Sequence, residues 1–255
     1  MHSAVNIVIG LGELGKSFAT GLLMQGVPVI PILREHNLAE MAKTYSTPNS
    51  VWVCVAEKDL HPLLAAMPFA WQDKLVLIQN ELLPHDWQAY PLSNPTIVSV
   101  WFEKKSGKTH QIVLPSVVYG PLSTLVLAVY NKLGLPARAL ANEQDLLFEL
   151  VLKNLYIQTS NMAGLMVGGT TRELVEQHSS LMKAIAQEVI ALQEFLTQTH
   201  FDHLALMAAL EAAFYGDPNH SCMGRSAPAR LQRALMLADQ HHLTIPTIRS
   251  IPTGK

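Results

Sequence analysis

The residue best placed to move a proton is Lys153, which lies in a nearly continuous apolar stretch. Its neighbours are Leu150, Val151, Leu152 and Leu155. A lysine held near apolar surface tends to have a lowered pKa, because burial disfavours the charged ammonium. Such a lysine can protonate an oxygen that becomes negative during a reaction. A lysine whose stem covers apolar surface while its amine reaches water is the structural alternative.

Two further residues share the helical face of Lys153. Ile157 and Asn161 follow it at intervals of four residues, so these side chains line one face over two turns of a helix. The amide of Asn161 could hydrogen-bond a substrate hydroxyl or carboxylate. Ile157 offers no polar contact, unless Asn154 or Gln158 turns inward in its place. An amide that only packs one helix on another is the alternative for Asn161.

Small and polar residues between positions 216 and 224 predict a loop with candidate substrate-binding groups. The Ser221 hydroxyl could bind a substrate carboxylate, and His220 and Arg225 would suit an anionic substrate. Asn80 follows the fourth predicted strand, where open α/β sheets bind ligands, so it could contact a substrate or a nucleotide ribose. An ordinary interhelical loop and a strand-end cap are the alternatives.

A glycine-rich turn near the start of the chain has the Gly-x-Gly-x-x-Gly pattern of dinucleotide-binding proteins, between a predicted strand and a predicted helix. Gly10 permits the tight turn, Gly12 lets the backbone approach a pyrophosphate, and Gly15 lets the helix pack closely on the strand. The helix N-terminus offers N–H groups to the phosphates. A turn that has lost its nucleotide is the alternative. The predicted cofactor-binding residues of this turn are Gly10, Leu11, Gly12, Glu13, Leu14 and Gly15.

The end of the second predicted strand distinguishes between two nucleotide cofactors. An acidic residue there usually binds the ribose 2′-hydroxyl of NAD, whereas an arginine accommodates the 2′-phosphate of NADP. Arg34 and then Glu35 follow the strand. Arg34 favours NADP, and Glu35 keeps NAD as the alternative. A solvated charge at a strand end is the structural alternative for Arg34.

The first half of the chain alternates apolar runs with helical stretches, which predicts a parallel, doubly wound α/β sheet of the Rossmann type. Residues 13–25 form the first predicted helix. Two later segments, Thr96–Phe102 and Gln111–Val118, flank a polar turn and predict a hairpin added to the sheet. The four predicted parallel strands are Val5–Ile9, Val27–Leu33, Val51–Val55 and Leu75–Gln79.

The second half has long helical patterns and no convincing strand, which predicts an all-helical C-terminal domain. Glu143–Val167 is apolar nearly all round and is predicted to be a buried central helix. The composition shift near Ala141 predicts a nucleotide-binding domain over residues 1–141 and a helical domain for substrate binding and dimerisation over 142–255. The other predicted helices are Leu174–Thr199, His203–Phe214 and Ala227–His242.

Composition excludes several function classes. Hydrophobic residues make up 49 % and charged residues 15 % of 255 residues, which excludes a disordered chain. A net charge of −2 argues against nucleic acid as a partner. No uninterrupted apolar stretch is long enough for a membrane span. Met1, His2 and Ser3 lack a signal-peptide pattern, the cysteines Cys54 and Cys222 lack metal or redox spacing, and the eleven histidines are scattered. We therefore predict a cytoplasmic protein without a metal.

Taken together, these motifs resemble the ketopantoate reductase (2-dehydropantoate 2-reductase) family over most of the chain. The family's opening pattern of strand, glycine-rich turn, helix, strand and arginine corresponds to Val5–Arg34. The family's Gln-Asn-Gly segment corresponds to Gln79-Asn80-Glu81. Its Lys-x-x-x-Asn-x-x-x-Asn helix corresponds to Lys153, Ile157 and Asn161, and its Ser-Ser-Met loop corresponds to Ser221-Cys222-Met223. Its closing helix, which is followed by a proline, corresponds to Leu231–Pro246.

The chain departs from the family at several positions. Glu81 replaces the glycine of one motif, and Ile157 replaces an asparagine. The family's active-site glutamate after the Ser-Met loop is missing, since the last glutamate is Glu211. The lysine often found after the third strand is also missing: Ala56 stands there. Either the chemistry uses fewer groups, or the substrate differs.

The resemblance implies an NADPH-dependent reduction of a small 2-keto acid, with ketopantoate and pantothenate biosynthesis as the leading expectation. Lys153 would be the general acid, and Asn161, Ser221, Asn80 and Arg225 would bind the substrate. The helical domain is apolar enough to bury a homodimer interface. A non-catalytic NADP-binding module and a dehydrogenase of another 2-hydroxy acid are the alternatives.

Overall fold

A computed structural model describes residues 5–252 of the chain. Met1, His2 and Ser3, on which the expectation of no signal peptide rests, lie outside the described residues. The chain divides after Glu149 into two compact units.

The first unit contains all strands found within residues 5–252 and six short helical segments. Its helices are α1 (Glu13–Leu23), α2 (Leu38–Thr44), α3 (Glu57–Ala65), a 3-10 turn (Phe69–Trp71), α4 (Pro84–Gln88) and α5 (Ser123–Lys132). Its strands are β1 (Asn6–Ile9), β2 (Val29–Ile32), β3 (Ser50–Val53), β4 (Leu75–Leu77), β5 (Thr96–Ser99), β6 (Phe102–Glu103), β7 (Gln111–Ile112), β8 (Ser116–Tyr119) and β9 (Ala137–Ala139).

The main sheet has seven strands in the order β2-β1-β3-β4-β5-β8-β9. The strands β1 to β5 are parallel, β8 is antiparallel to β5, and β9 is parallel to β8. The strand order reverses at β1. The carboxyl ends of β1 and β3 therefore form the topological switch point, at which such sheets bind ligands. The predicted doubly wound α/β sheet is therefore confirmed.

Aromatic side chains fix α1 on this sheet. Every residue of β1, β3 and β4 is buried, as expected for strands covered on both faces. The ring of Phe18 in α1 lies 5.0 Å from the Trp52 ring of β3 and 5.7 Å from the Tyr130 ring of α5, measured between centroids. This cluster packs the middle of α1 on the sheet.

The predicted hairpin is correct in its antiparallel pairing and wrong in its continuity. β5 pairs with β8 in the main sheet, whereas β6 and β7 pair in a separate two-stranded sheet. Between these pairs the Trp101 backbone N–H donates to the Ser116 hydroxyl at 2.9 Å, and its carbonyl accepts from the Val113 N–H at 2.9 Å. The sequence did not predict α5 and β9.

The second unit is helical, as predicted. The segment predicted as one helix, Leu174–Thr199, is broken at His178, whose φ of −126° and ψ of 31° are not helical. None of the helices within residues 5–252 is both long and apolar enough to cross a membrane. The remaining helices are α6 (Glu143–Val167), which begins in the first unit, α7 (Thr171–Gln177), α8 (Ser179–Thr197), α9 (His203–Gly216), α10 (Ala227–His241) and α11 (Pro246–Arg249).

The prediction of a buried central helix is confirmed in α6. From Leu150 to Gly164 every residue is buried except Lys153 and Gln158, which are half-buried. Such a helix has no polar face of its own, so its polar side chains face protein. It therefore presents Lys153 and Asn161 in largely protein-filled surroundings.

Candidate active site

The glycine-rich turn folds back on itself where β1 meets α1. Gly10 has a φ of +89°, and a Cβ there would lie 2.9 Å from the Cys54 carbonyl oxygen at the end of β3. A Cβ at Gly15 would lie only 2.0 Å from the Gly10 carbonyl oxygen. Both positions therefore require glycine, for the turn and for the close approach of α1 to the strand.

Gly12 faces open space. It is the extended N-cap residue of α1, no side chain caps the helix, and a Cβ at this position would meet nothing within 4 Å. An uncapped helix N-terminus with space in front of it suits an anionic group such as a pyrophosphate. The half-buried side chains of Leu11 and Leu14 pack against the core. Glu13 forms a 3.5 Å ion pair with Lys16.

Arg34 and Glu35 follow β2 at the same edge of the sheet, and both are exposed. The Arg34 side chain is 91 % exposed and has a long 3.5 Å contact with Asp59. Such an exposed ion pair contributes little to stability. Arg34 is therefore available to a ligand at this edge.

The third polar position of this edge is Asn80, which is half-buried after β4. The preceding Gln79 is buried, and its amide donates to the Val53 carbonyl at 2.7 Å, so it ties the ends of β3 and β4 together. Glu81 has a φ of +59°, a conformation that favours glycine. The backbone thus keeps a glycine-like turn at the position where the related motif has glycine. The sequence did not identify the role of Gln79.

Lys153 is the main titratable group of the second unit's site. Burial, together with the positive charge of Arg230, lowers its pKa from 10.5 to about 7. Its amine lies 5.8 Å from the centre of the Tyr156 ring. A lysine with this pKa is partly protonated at neutral pH and can act as a proton donor.

Asn161 is buried and hydrogen-bonded to protein groups. Its Nδ2 donates to the Cys222 carbonyl at 3.3 Å and to the Ser160 hydroxyl at 3.4 Å, and its Oδ1 accepts from Arg230 Nη1 at 3.0 Å. Its geometry is therefore that of an amide that joins α6, α10 and the intervening loop.

Two amides near Ile157 bond within α6. Asn154 donates to the Leu150 carbonyl at 3.0 Å and accepts a 3.4 Å bond from Gln158. Ile157 itself is 7 % exposed. The polar contact that an asparagine would supply at position 157 is therefore not replaced by these two amides.

The loop with Ser221 and Cys222 lies against α6. A Cβ at Gly164 would be 2.8 Å from the Met223 nitrogen, so the glycine permits the close approach. The Cys222 N–H donates to the Gly169 carbonyl at 3.0 Å, and burial raises the pKa of its thiol to about 11. Ser221 is exposed. The loop is thus held by its backbone and presents the Ser221 hydroxyl.

The structure brings Arg230, and not Arg225, to Asn161. Arg225 is exposed in the loop, whereas Arg230 is half-buried on α10. Helical spacing could have identified it, because Ala227, Leu231 and Ala234 form the buried face of α10 and Arg230 lies beside them. His220 forms a 3.3 Å ion pair with Asp217.

A metal site is not found in the described part of the chain. Within residues 5–252, no group of three or more histidine, cysteine, aspartate and glutamate side chains could hold a metal ion. The Glu194 carboxylate lies 3.0 Å from His203 Nε2 and 3.5 Å from His200 Nδ1. The spacing of the residues in the sequence did not predict this contact.

Comparison with solved structures identifies the fold. A ketopantoate reductase of the PanE/ApbA family from Ralstonia eutropha superimposes with a TM-score of 0.66 at 15 % identity, over 97 % of this chain and 96 % of that one. A dimeric ketopantoate reductase from Staphylococcus aureus superimposes with a TM-score of 0.62 at 16 % identity, over 97 % of this chain and 95 % of that one. The structure of D-mandelate dehydrogenase with NADH and anilino(oxo)acetate superimposes with a TM-score of 0.65 at 13 % identity, over 97 % of this chain and 96 % of that one. No protein-family model and no curated protein matches the sequence.

Proposed function

We propose that this protein is a cytoplasmic oxidoreductase that reduces a small 2-keto acid with NADPH, with ketopantoate as the first substrate to test. One observation carries the proposal: a half-buried lysine with a pKa of about 7 lies on the central helix of a chain that has the fold of ketopantoate reductases. Reduction of ketopantoate would place the enzyme in pantothenate biosynthesis.

The residues of the first unit fit a dinucleotide. Gly12 leaves space at an uncapped helix N-terminus, where the pyrophosphate would bind, and the exposed Arg34 would pair with a 2′-phosphate. Asn80 would donate a hydrogen bond to the cofactor or the substrate. When bound, the reduced nicotinamide supplies a hydride to the carbonyl carbon.

The residues of the second unit would supply the proton and hold the acid. Negative charge grows on the keto oxygen during reduction, and the Lys153 ammonium stabilises that charge and then donates its proton. The exposed Ser221 hydroxyl and Arg225 would bind the substrate carboxylate. Asn161 supports this site as a positioning residue, because its amide is bonded to Arg230 and the Cys222 carbonyl.

The test is NADPH oxidation by the purified protein with a panel of 2-keto acids: ketopantoate, pyruvate, 2-oxoisovalerate and phenylglyoxylate. We expect turnover of at least one, with ketopantoate preferred. Preference for phenylglyoxylate would favour a dehydrogenase of another 2-hydroxy acid, the alternative supported by the similarity to D-mandelate dehydrogenase. NADPH binding without oxidation of any keto acid would favour a non-catalytic module and refute the proposal.

The cofactor preference has its own test at Arg34. Arg34→Ser should reduce NADPH affinity about tenfold or more, because a charge-assisted hydrogen bond to the 2′-phosphate is lost, and should leave NADH affinity nearly unchanged. Fluorescence titration with both cofactors measures this. An equal effect on both would argue against contact between Arg34 and the 2′-phosphate.

We also propose a homodimer, supported by the similarity to a dimeric ketopantoate reductase. Light scattering on the eluting protein measures its mass. A monomeric mass at micromolar concentration would contradict this part of the proposal and leave the catalytic assignment untouched.

A further inference from the structure

A carboxylate of the first unit lies beside the arginine that is proposed to bind the cofactor. The Arg34 Nη2 atom is 3.5 Å from the Asp59 Oδ2 atom. Arg34 follows β2, whereas Asp59 belongs to the first turn of α3, which follows β3. The two residues are 25 positions apart in the sequence, so the residues at the end of β2 do not by themselves predict this contact.

The sheet topology places this pair at the proposed cofactor site. β1 lies between β2 and β3 in the main sheet, and the glycine-rich turn follows β1 at its carboxyl end. The three strands are parallel, so their carboxyl ends lie at one edge of the sheet. A residue after β2 that contacts a residue after β3 therefore reaches across the end of β1. Sheets of this type bind a dinucleotide at this switch point.

The two candidate cofactors differ at the adenosine ribose. NADPH carries a 2′-phosphate there, with roughly two negative charges at neutral pH, whereas NADH carries a neutral 2′-hydroxyl. Arg34 attracts the phosphate, but the Asp59 carboxylate repels it and competes with it for the same guanidinium. A carboxylate also accepts a hydrogen bond from a ribose hydroxyl. The Asp59 side chain is 41 % exposed, so a ligand can reach it.

We propose that Asp59 determines cofactor specificity: it weakens the preference of Arg34 for the 2′-phosphate and accepts the ribose 2′-hydroxyl of NADH, so that the protein binds both cofactors. This inference rests on the proposed function for the position of the dinucleotide. It gives Asp59 the role that the sequence pattern left open for Glu35.

Asp59→Asn tests this proposal through a gain of affinity, which a misfolded variant could not produce. The substitution removes the negative charge and keeps the size of the side chain. Fluorescence titration should show NADPH bound about three- to tenfold more tightly than by the wild type, because the repulsion and the competition for Arg34 are lost. NADH should bind about two- to fivefold more weakly, because an amide oxygen is a weaker acceptor than a carboxylate.

Asp73→Asn is the matched control. Asp73 precedes β4 and lies at the opposite, amino edge of the sheet, where its carboxylate contacts Lys74 at 3.0 Å. The same change of charge at this distant edge should alter NADPH affinity less than about twofold, because solvent and salt screen exposed charges. An equal gain in both variants would show an effect of net charge alone and overturn the proposal. Parallel changes for NADPH and NADH in Asp59→Asn, or an unchanged NADPH affinity, would overturn it as well.

Adenosine 2′,5′-bisphosphate and adenosine 5′-monophosphate separate this inference from the proposed function. They carry the ribose with and without the 2′-phosphate and lack the nicotinamide, so their binding involves no reduction of a substrate. Calorimetric titration should show the bisphosphate bound about three- to tenfold more tightly by Asp59→Asn than by the wild type, and no gain for the monophosphate.

The outcomes for the two proposals are distinct. The expected nucleotide binding by a protein that reduces no keto acid would refute the proposed function and support the role of Asp59. Turnover of a keto acid, with bisphosphate affinity unchanged in Asp59→Asn, would refute the role of Asp59 alone. A wild type that binds neither cofactor and neither nucleotide would overturn both.

Discussion

Replacing Lys153 by methionine should reduce activity and increase stability at the same time. Methionine fills similar space without a charge that must be desolvated. As the proposed general acid, Lys153 should contribute about 100- to 10,000-fold to turnover. Its loss should leave NADPH affinity unchanged, because the predicted cofactor-binding residues lie in the first unit. Turnover within tenfold of the wild type would refute the assignment of Lys153 as the acid.

The stability change follows from the pKa of Lys153. A pKa that falls from 10.5 to about 7 corresponds to roughly 5 kcal/mol of unfavourable free energy for the charged form, at about 1.4 kcal/mol for each pKa unit. The side chain is half-buried, so solvent screening reduces this figure, and we expect Lys153→Met to be about 1–3 kcal/mol more stable than the wild type at pH 7.

The sign of the pH dependence is fixed by the same pKa. The folded-state pKa lies below the unfolded-state value, so the unfolded chain binds the proton more tightly between about pH 7 and 10.5. The stability of the wild type relative to Lys153→Met should therefore rise with pH, by up to about 2 kcal/mol between pH 7 and 8.5. Urea unfolding of both proteins at these pH values measures it. A constant difference would show that Lys153 is not desolvated.

The remaining predictions concern the backbone of the first unit. Gly15→Ala should lose about 3 kcal/mol or more, because its Cβ would lie 2.0 Å from the Gly10 oxygen, whereas Gly12→Ala should change stability by less than about 1 kcal/mol. Gly12→Ala should instead weaken NADPH binding about tenfold, because the new Cβ enters the space proposed for the pyrophosphate. Thermal unfolding measures the changes in stability, and fluorescence titration measures the change in NADPH affinity. Glu81→Gly should be about 1 kcal/mol more stable than Glu81→Ala, because only glycine accepts a φ of +59° without strain; equal stability would contradict this account.

The sequence predicted the elements whose pattern is local. β1, α1 and the glycine-rich turn were identifiable because an apolar run, a helical spacing and a glycine triplet follow one another. The bounds of α6, Glu143–Val167, were predicted as the structure has them, since a long apolar segment without breakers leaves few alternatives.

Features that depend on tertiary contacts could not be predicted in this way. The break between β5 and β6 lies where the Trp101 backbone bonds to the Ser116 side chain, a contact between residues that are distant in sequence. The partners of Asn161 likewise come from α10 and from a distant loop. A family motif could therefore identify Asn161, whereas Arg230 lies outside every motif and only the helical spacing of α10 points to it.

The position of Arg230 also bears on the structural alternative for Lys153. A lysine that only covers apolar surface extends its amine into water and keeps an ordinary pKa, because hydration of the charge is the reason for that orientation. Lys153 is instead desolvated and exposed to the field of a second cation, and both effects act against folding. An apolar residue would be more stable here, so packing alone does not explain why a lysine occupies this position. A titratable group that is kept in spite of such a cost is typical of a functional site, which favours the proton-donor role of Lys153 over the structural alternative.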